Sequence, residues 1–271
     1  MSMPTVDVLT LAQVRRVAVM LGIDPQSFCE GDPLPRGWHF ALLAGETPRH
    51  VLRSDGFPGL GVAMPQLDLP RLLLGQRSTS FHSDLMIGAN VTRNSALTSM
   101  VEKTGRNGRF AIAKIDHSLA CGDAPPQVVE TQTYFLAGPP AEAVAKPPPV
   151  ALPSEGAIKT VTPDELMLFQ YSALGFNTHR IHFDRDYATR IEGHPDLVVN
   201  GGLATLLATE FLRQGHGLRV KALTARHLAP LYINRPLTIF APDLTTAQAN
   251  LLLIDCDGIV AAELVISFDE L

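Results

Sequence analysis

The stretch FNTHRIHFD, residues 176–184, places an asparagine and two histidines within six positions and encloses them in aromatic and apolar side chains. Three kinds of role suit such a cluster. The chain has nine histidines, and an imidazole in apolar surroundings most often serves structure. A metal role would use His179 and His182, three apart and able to share one helix face as zinc ligands do, with Asp184, Asp186 or His194 as a third ligand. Cysteines and a second histidine pair are missing from this neighbourhood, which counts against a metal centre. An acid–base role asks for more. Adding water across a C=C bond conjugated to a thioester needs a base for the water, an acid for Cα and donors for the developing enolate oxygen. Histidine titrates near working pH, and an amide five residues earlier, Asn177 before His182, can hold the same water. Backbone N–H groups at a helix N-terminus are suited to the enolate. VVNGGLATLL, residues 198–207, opens such a helix, and Gly201 and Gly202 let a thioester approach the backbone.

These residues need a scaffold that brings a loop against a helix end. GGLATLLATEFLR, residues 201–213, is the most helix-like stretch of the second half. It is apolar around much of its circumference, so it should be buried on several sides, with three or four strands following it. In the first half, Thr10 and Gln13 form a capping-box pattern ahead of Leu11, Val14, Ala18 and Leu21, and Gly22 stops that run. Asn107-Gly108 signals a hairpin turn flanked by Arg106 and Arg109, whose default place is a solvated tip.

The segment AGPPAEAVAKPPPVALP, residues 137–153, holds six prolines and reads as a linker. It separates an N-terminal module, 1–136, from a C-terminal module, 154–271. LMIGANV (85–91) lies over LYINRPL (231–237), and VVETQTYFL (128–136) over VAAELVISF (260–268), in the same order along the chain. Two copies of one β-rich module would produce that pattern. The N-terminal copy has no Asn–His arrangement at the aligned place. It reads as a degenerate copy that widens the cleft and houses part of the ligand. A long buried helix wrapped by an antiparallel sheet, occurring twice, describes an α+β double hotdog.

Composition narrows the partners. The 271 residues are 46 % hydrophobic and 18 % charged with a formal net charge of −5, which argues against a general nucleic-acid binder. Cys29, Cys121 and Cys256 are far apart and odd in number, as free thiols in a reducing compartment would be. A secretory signal pattern is not visible, and the apolar runs are too short to span a bilayer. The expectation is a cytoplasmic protein without membrane or nucleic-acid partners.

YSALGFNTHRIHFDRDYA (171–188) followed by HPDLVVNGGLATLLATEFLR (194–213) resembles the MaoC-like enoyl-CoA hydratases and type-2 hydroxyacyl-thioester dehydratases. The resemblance puts the catalytic histidine on His182 and the oxyanion-hole glycine on Gly201, with Gly202 beside it. The family's catalytic aspartate falls on Asn177, and its histidine before the helix glycine on Asn200. GWHFALL (37–43), QLDLPRLLLG (66–75), FHSDLMIGANV (81–91) and VEKTGRNGRF (101–110) extend the likeness to the subgroup of itaconyl-CoA and mesaconyl-C4-CoA hydratases. It implies a double hotdog acting on an acyl-CoA substrate without a cofactor, forming citramalyl-CoA, with pairing into a homo-oligomer common among such proteins. In that setting Arg180 either pairs with Asp184 or Asp186 or clamps the substrate's free carboxylate. His179 shapes the loop first and contacts substrate second. Tyr171 and Ser172 read as core packing.

Other readings remain open. A hydratase or dehydratase of straight-chain (R)-3-hydroxyacyl thioesters would carry a long apolar tunnel and no arginine directed into it. A hotdog thioesterase would want a carboxylate in the first turn after Gly201, where none stands. A non-catalytic acyl-CoA-binding protein would explain an amide at position 177.

Overall fold

The computed structural model describes residues 4–43, 45–65, 67–105, 108–138, 148–151 and 155–269. Arg106 and Asn107 of the expected turn, and residues 139–147, 152 and 153 of the expected linker, lie outside the described residues.

The chain runs through the same succession of strands twice, with a second, longer helix in the second pass. The first pass is β1 (Thr5–Val8), α1 (Leu11–Met20), β2 (Arg71–Phe81), β3 (Asn90–Gly105), β4 (Gly108–Cys121) and β5 (Val128–Ala137). The second is β6 (Ala157–Val161), α2 (Glu165–Leu174), α3 (Gly201–His216), β7 (Val220–His227), β8 (Leu237–Ala241), β9 (Gln248–Ile254) and β10 (Val260–Phe268). All ten strands join in one antiparallel sheet of order β1-β3-β4-β5-β2-β7-β10-β9-β8-β6. The first five strands of that order and the last five, read inward from the two edges, follow the same pattern. β2 and β7 form the seam, with Gln76 to Ser80 opposite Arg226 to Ala222, and Ser78 Oγ and Thr224 Oγ1 bond across it at 3.0 Å. A sheet edge in each half is thereby closed by the other half.

Local signals act where expected. Thr10 caps α1 through its hydroxyl, which accepts from the Gln13 N–H at 3.2 Å, and the Gln13 side chain returns to the Thr10 N–H at 3.3 Å. Gly22 then leaves the helix at φ +70°. Gly108 opens β4 at φ +97°, and Arg109 pairs with Glu102 at 2.7 Å on the exposed tip of the β3–β4 hairpin.

The helix α3 is buried without interruption from Gly202 to Leu212 and fills the concave face of the C-terminal strands. Gly217, left-handed at φ +66°, ends it. The N-terminal half holds α1 but no long counterpart of α3 among the described residues. Between α1 and β2 the chain carries prolines at 25, 33, 35, 48, 58, 65 and 70 and left-handed glycines at 22, 31, 37, 56, 59 and 61, which favour short turns over a continuous helix. One of these turns, Trp38–Ala41, packs on α3 instead.

The contact between that turn and α3 is polar at its centre. Glu210 is 3 % exposed, yet its carboxylate accepts from Trp38 Nε1 at 2.6 Å, from Arg213 Nε and Nη2 at 2.8 Å each, and from Gln214 Nε2 at 2.7 Å. Replacing Glu210 by Ala strands a buried indole N–H and a guanidinium, a loss of about 2–4 kcal/mol. Urea unfolding of Glu210→Ala should therefore show a clearly lower midpoint at unchanged m. A midpoint equal to wild type would mean these bonds contribute nothing net.

Candidate active site

The helix α2 ends at Gly175, and Phe176 takes a left-handed φ of +44°, which turns the Asn177 N–H back onto the Ser172 carbonyl at 2.7 Å. The Asn177 Oδ1 accepts from the His179 N–H at 3.0 Å, so the backbone donor identifies the oxygen end of the amide and leaves the NH2 group free to donate. Residues Arg180–His182 form one short 3₁₀ turn.

The backbone of a single residue, Val198, ties this turn to the lead-in of α3. The Val198 N–H donates to the Ile181 carbonyl at 3.0 Å, and the Val198 carbonyl accepts from His182 Nδ1 at 2.7 Å. That bond places the ring proton on Nδ1 and leaves Nε2 with a lone pair. Three residues later the chain enters α3 at Gly201, where Asn200 provides no side-chain cap, so the first-turn N–H groups keep their capacity for an external acceptor. His182, Asn177, His179, Asn200, Gly201 and Gly202 all line one cavity of roughly 1000 Å³.

The two glycines matter for close approach. A methyl group on Gly201 would press on the His227 ring at 3.2 Å and on Leu74 at 3.4 Å. On Gly202 it would overlap the Tyr171 hydroxyl, which donates to the Phe40 carbonyl at 2.8 Å.

The N-terminal half braces the loop from outside. The Arg180 N–H donates to the Asp55 carbonyl at 2.9 Å, and Thr178 Oγ1 to the Gly56 carbonyl at 2.6 Å. His179 stands edge-on to His182, ring centroids 5.3 Å apart, with its Nε2 3.8 Å from the buried Asp55 carboxylate. Asp55 also holds Arg53 Nε at 3.1 Å and the Phe57 N–H at 2.9 Å.

Of the two places expected for Arg180, the structure shows the pair with Asp184 and not a position in the cavity. Its guanidinium binds Asp184 at 2.8 and 3.0 Å and lies 4.1 Å from the Tyr187 ring centroid, outside the cavity lining. The chain between residues 180 and 184 forms a compact turn, which brings the acid to the arginine and takes both away from the cavity. No group of three His, Cys, Asp or Glu placed to hold a metal ion occurs among the described residues.

Several cavity residues were not singled out from the sequence. Arg77, Glu130, Gln132, Tyr134, His39, His117 and His227 all line it, and Tyr171, read as core, does too. Arg77 lies opposite Gln132 and Thr79 opposite Glu130 in the β2–β5 ladder, so these polar groups share the concave face. The legible signal was a strand, VVETQTYFL, whose core-facing alternation Val128, Glu130, Gln132, Tyr134, Leu136 carries polar members.

Burial sets the charges. His182 is pushed down to about 3 by burial first and His179 second, against the Val198 carbonyl. Burial and then Arg53 bring His179 to about 4, and burial and then Arg77 bring His227 to about 4. All three are neutral at pH 7. Burial works to raise the Glu130 carboxyl, but Arg77 and His39 outweigh it and hold it well below the usual range.

Comparison with known proteins gives the same picture from another direction. Residues 37–233 match the family model described as hydroxyacyl-thioester dehydratase type 2. The mesaconyl-C(4)-CoA hydratase of Chloroflexus aurantiacus is 32 % identical over 242 residues, 87 % of this chain and 84 % of that protein. A MaoC-like dehydratase structure from Phytophthora capsici superposes at TM-score 0.72 with 15 % identity, covering 99 % of this chain and 96 % of that one. A Mycobacterium tuberculosis protein described as a double hotdog superposes at 0.59 with 13 % identity, over 98 % and 93 % of the two chains. The fold is an α+β double hotdog whose two layers merge at the β2–β7 seam.

The depressed histidines carry a stability signature. Below their ordinary value of 6.5 the unfolded chain binds protons that the folded rings refuse. Stability is therefore full above about pH 6.5 and falls as the pH drops towards the folded values. Urea midpoints should decrease from about pH 7.5 to about pH 5.5, a window above most carboxylate titration, and His227→Gln should flatten part of that slope. A pH-independent midpoint across the window would contradict the neutral, buried imidazoles.

Proposed function

Because this chain belongs to the hydroxyacyl-thioester dehydratase type 2 family, we propose that it hydrates a dicarboxylic enoyl-CoA, mesaconyl-C4-CoA, to citramalyl-CoA. It is a hydro-lyase of acyl thioesters. The observation that carries the reaction is the placing of His182 by the uncapped N-terminus of α3 through the backbone of Val198.

In this reading His182 Nε2 takes a proton from water as the water oxygen bonds to Cβ. The C=C electrons move onto the thioester carbonyl oxygen, which the N–H groups at Gly201 and Gly202 receive. The enolate then collapses, and the proton held by His182 goes to Cα, so one water is added and nothing else changes. Neither charge is favoured alone in a buried site, but the imidazolium and the enolate form together and stabilise each other. Asn177 donates its amide N–H to the water oxygen and exchanges no proton. His179 lies at the cavity wall, held by Asp55, and keeps the turn in place. The modules 1–136 and 154–271 divide the work, the first shaping the acyl chamber and the second supplying the reacting groups.

Two observations favour a short dicarboxylic acyl group over a straight chain. The relative from Chloroflexus aurantiacus is named for mesaconyl-C4-CoA. The chamber beyond the α3 terminus, apolar over much of its lining, also carries the charged and polar side chains of Arg77, Arg93, Glu130, Gln132 and His117, which a purely apolar tunnel for a straight chain would lack. Mesaconyl-C4-CoA also has its double bond conjugated to the thioester, which itaconyl-CoA has not, and enolate stabilisation acts on the conjugated bond.

Turnover of mesaconyl-C4-CoA, itaconyl-CoA and crotonyl-CoA, followed by mass spectrometry, tests the assignment. The expected outcome is a gain of one water on mesaconyl-C4-CoA, abolished in His182→Ala. Asn177→Ala should lower kcat by ~10–100-fold and leave the pH profile unmoved. Because His182 stays neutral far below 6.5, kcat/KM should be flat from about pH 5.5 to 8. Turnover of crotonyl-CoA alone would move the substrate to the straight-chain class. Tight binding of all three without hydration would make the protein a non-catalytic acyl-CoA binder.

A further inference from the structure

We propose that Arg77 binds the free carboxylate that the substrate carries on Cβ, and so sets the preference for dicarboxylic acyl groups. This rests on the hydratase reading above for the position of the thioester. Arg77 is 8 % exposed, sits on the concave face of β2 and lines the cavity. Its guanidinium lies over the Phe40 ring at 4.4 Å, so one face is covered by an aromatic surface. On one side Nε stands 3.3 Å from Glu130. That carboxylate is already engaged by Thr79 Oγ1 at 3.0 Å and by Gln132 Nε2, with His39 Nε2 at 3.5 Å.

The other side points towards the reacting groups. Nη1 has no hydrogen-bond partner among the described residues, and it lies 3.4 Å from where a methyl group on Gly202 would stand. A buried cationic N–H without an acceptor costs free energy, and a carboxylate is the acceptor that compensates it most strongly. Two carbon atoms separate the thioester carbonyl from the free carboxylate of a C4 monothioester. A carbonyl held at the α3 terminus therefore delivers the carboxylate to the adjacent side chain, which is Arg77.

The charge balance of the chamber agrees. Arg93 also lines it, donating Nη1 to the Leu43 carbonyl at 3.1 Å, while its Nε has no partner among the described residues. Two guanidinium groups thus face one buried carboxylate, Glu130. The remaining acid of the lining, Glu46, is exposed. Arg71 is matched separately by Glu192 at 2.9 Å. An anion entering this chamber brings it closer to neutrality, and a methyl group does not.

Binding of succinyl-CoA and butyryl-CoA tests the assignment without turnover. Both are saturated four-carbon acyl esters, one ending in a carboxylate and the other in a methyl group. Isothermal calorimetry on wild type should show succinyl-CoA bound at least about tenfold more tightly. Arg77→Gln combined with Glu130→Gln removes both charges of the pair. That variant should lose the preference and keep its butyryl-CoA affinity within about threefold. Arg77→Lys, which keeps the charge and leaves Glu130 partnered, should reduce the preference without changing butyryl-CoA binding, and it decides the matter if the double variant does not fold. An undiminished preference, or equal loss of both ligands, would overturn the role of Arg77. A preference that behaves as expected in a protein that does not hydrate mesaconyl-C4-CoA would sink the hydratase reading and leave the carboxylate site standing.

Discussion

The backbone of Val198 is the constraint on which the site depends. Its N–H and carbonyl both bind the 180–182 turn, one at Ile181 and the other at His182, while its chain leads within three residues into α3. The same two bonds orient an imidazole, choose its tautomer and fix its height over a helix terminus. The next residue, Val199, is held by the Leu231 carbonyl at 2.8 Å, so the clamp is anchored to the lead-in of β8 as well. In the proposed reaction, a base and an enolate-binding helix end held by the backbone of one residue would need little reorganisation when charge develops between them.

The two halves contribute unequally to this arrangement. The C-terminal strands wrap a buried helix whose N-terminus opens on the cavity. The N-terminal strands lack such a helix among the described residues, and their concave face carries Arg77, Glu130, Gln132 and His117 against the cavity. The two halves repeat one strand order, and the half without a long helix among the described residues turns its concave face to the cavity instead. The N-terminal half also reaches back to the loop through Asp55 and Gly56, so neither half forms the site alone.

Much of this was legible in the sequence because it is local. The capping box of α1, the apolar circumference of α3 and the glycine pair at its start are short-range patterns, and the two-copy order of LMIGANV and LYINRPL followed from alignment alone. The β2–β7 seam was not legible, because strand pairing over some 150 positions leaves no local mark. Arg180 was left between two places for a related reason: nothing in a one-dimensional spacing says whether a turn directs a side chain inward or towards Asp184. Arg77 was missed because its meaning is a property of the ladder. Only the register with β5 puts it beside Glu130 and Gln132 and turns all three to the cavity.

The central claim is that the thioester carbonyl sits on the N-terminus of α3 with Cβ turned to His182. A crystal structure of His182→Gln with mesaconyl-C4-CoA bound tests it most directly. The account predicts the carbonyl oxygen within about 3 Å of backbone N–H groups at Gly201 or Gly202 and the double bond facing residue 182. A thioester carbonyl directed away from that helix end, with the acyl group elsewhere in the cavity, would contradict it.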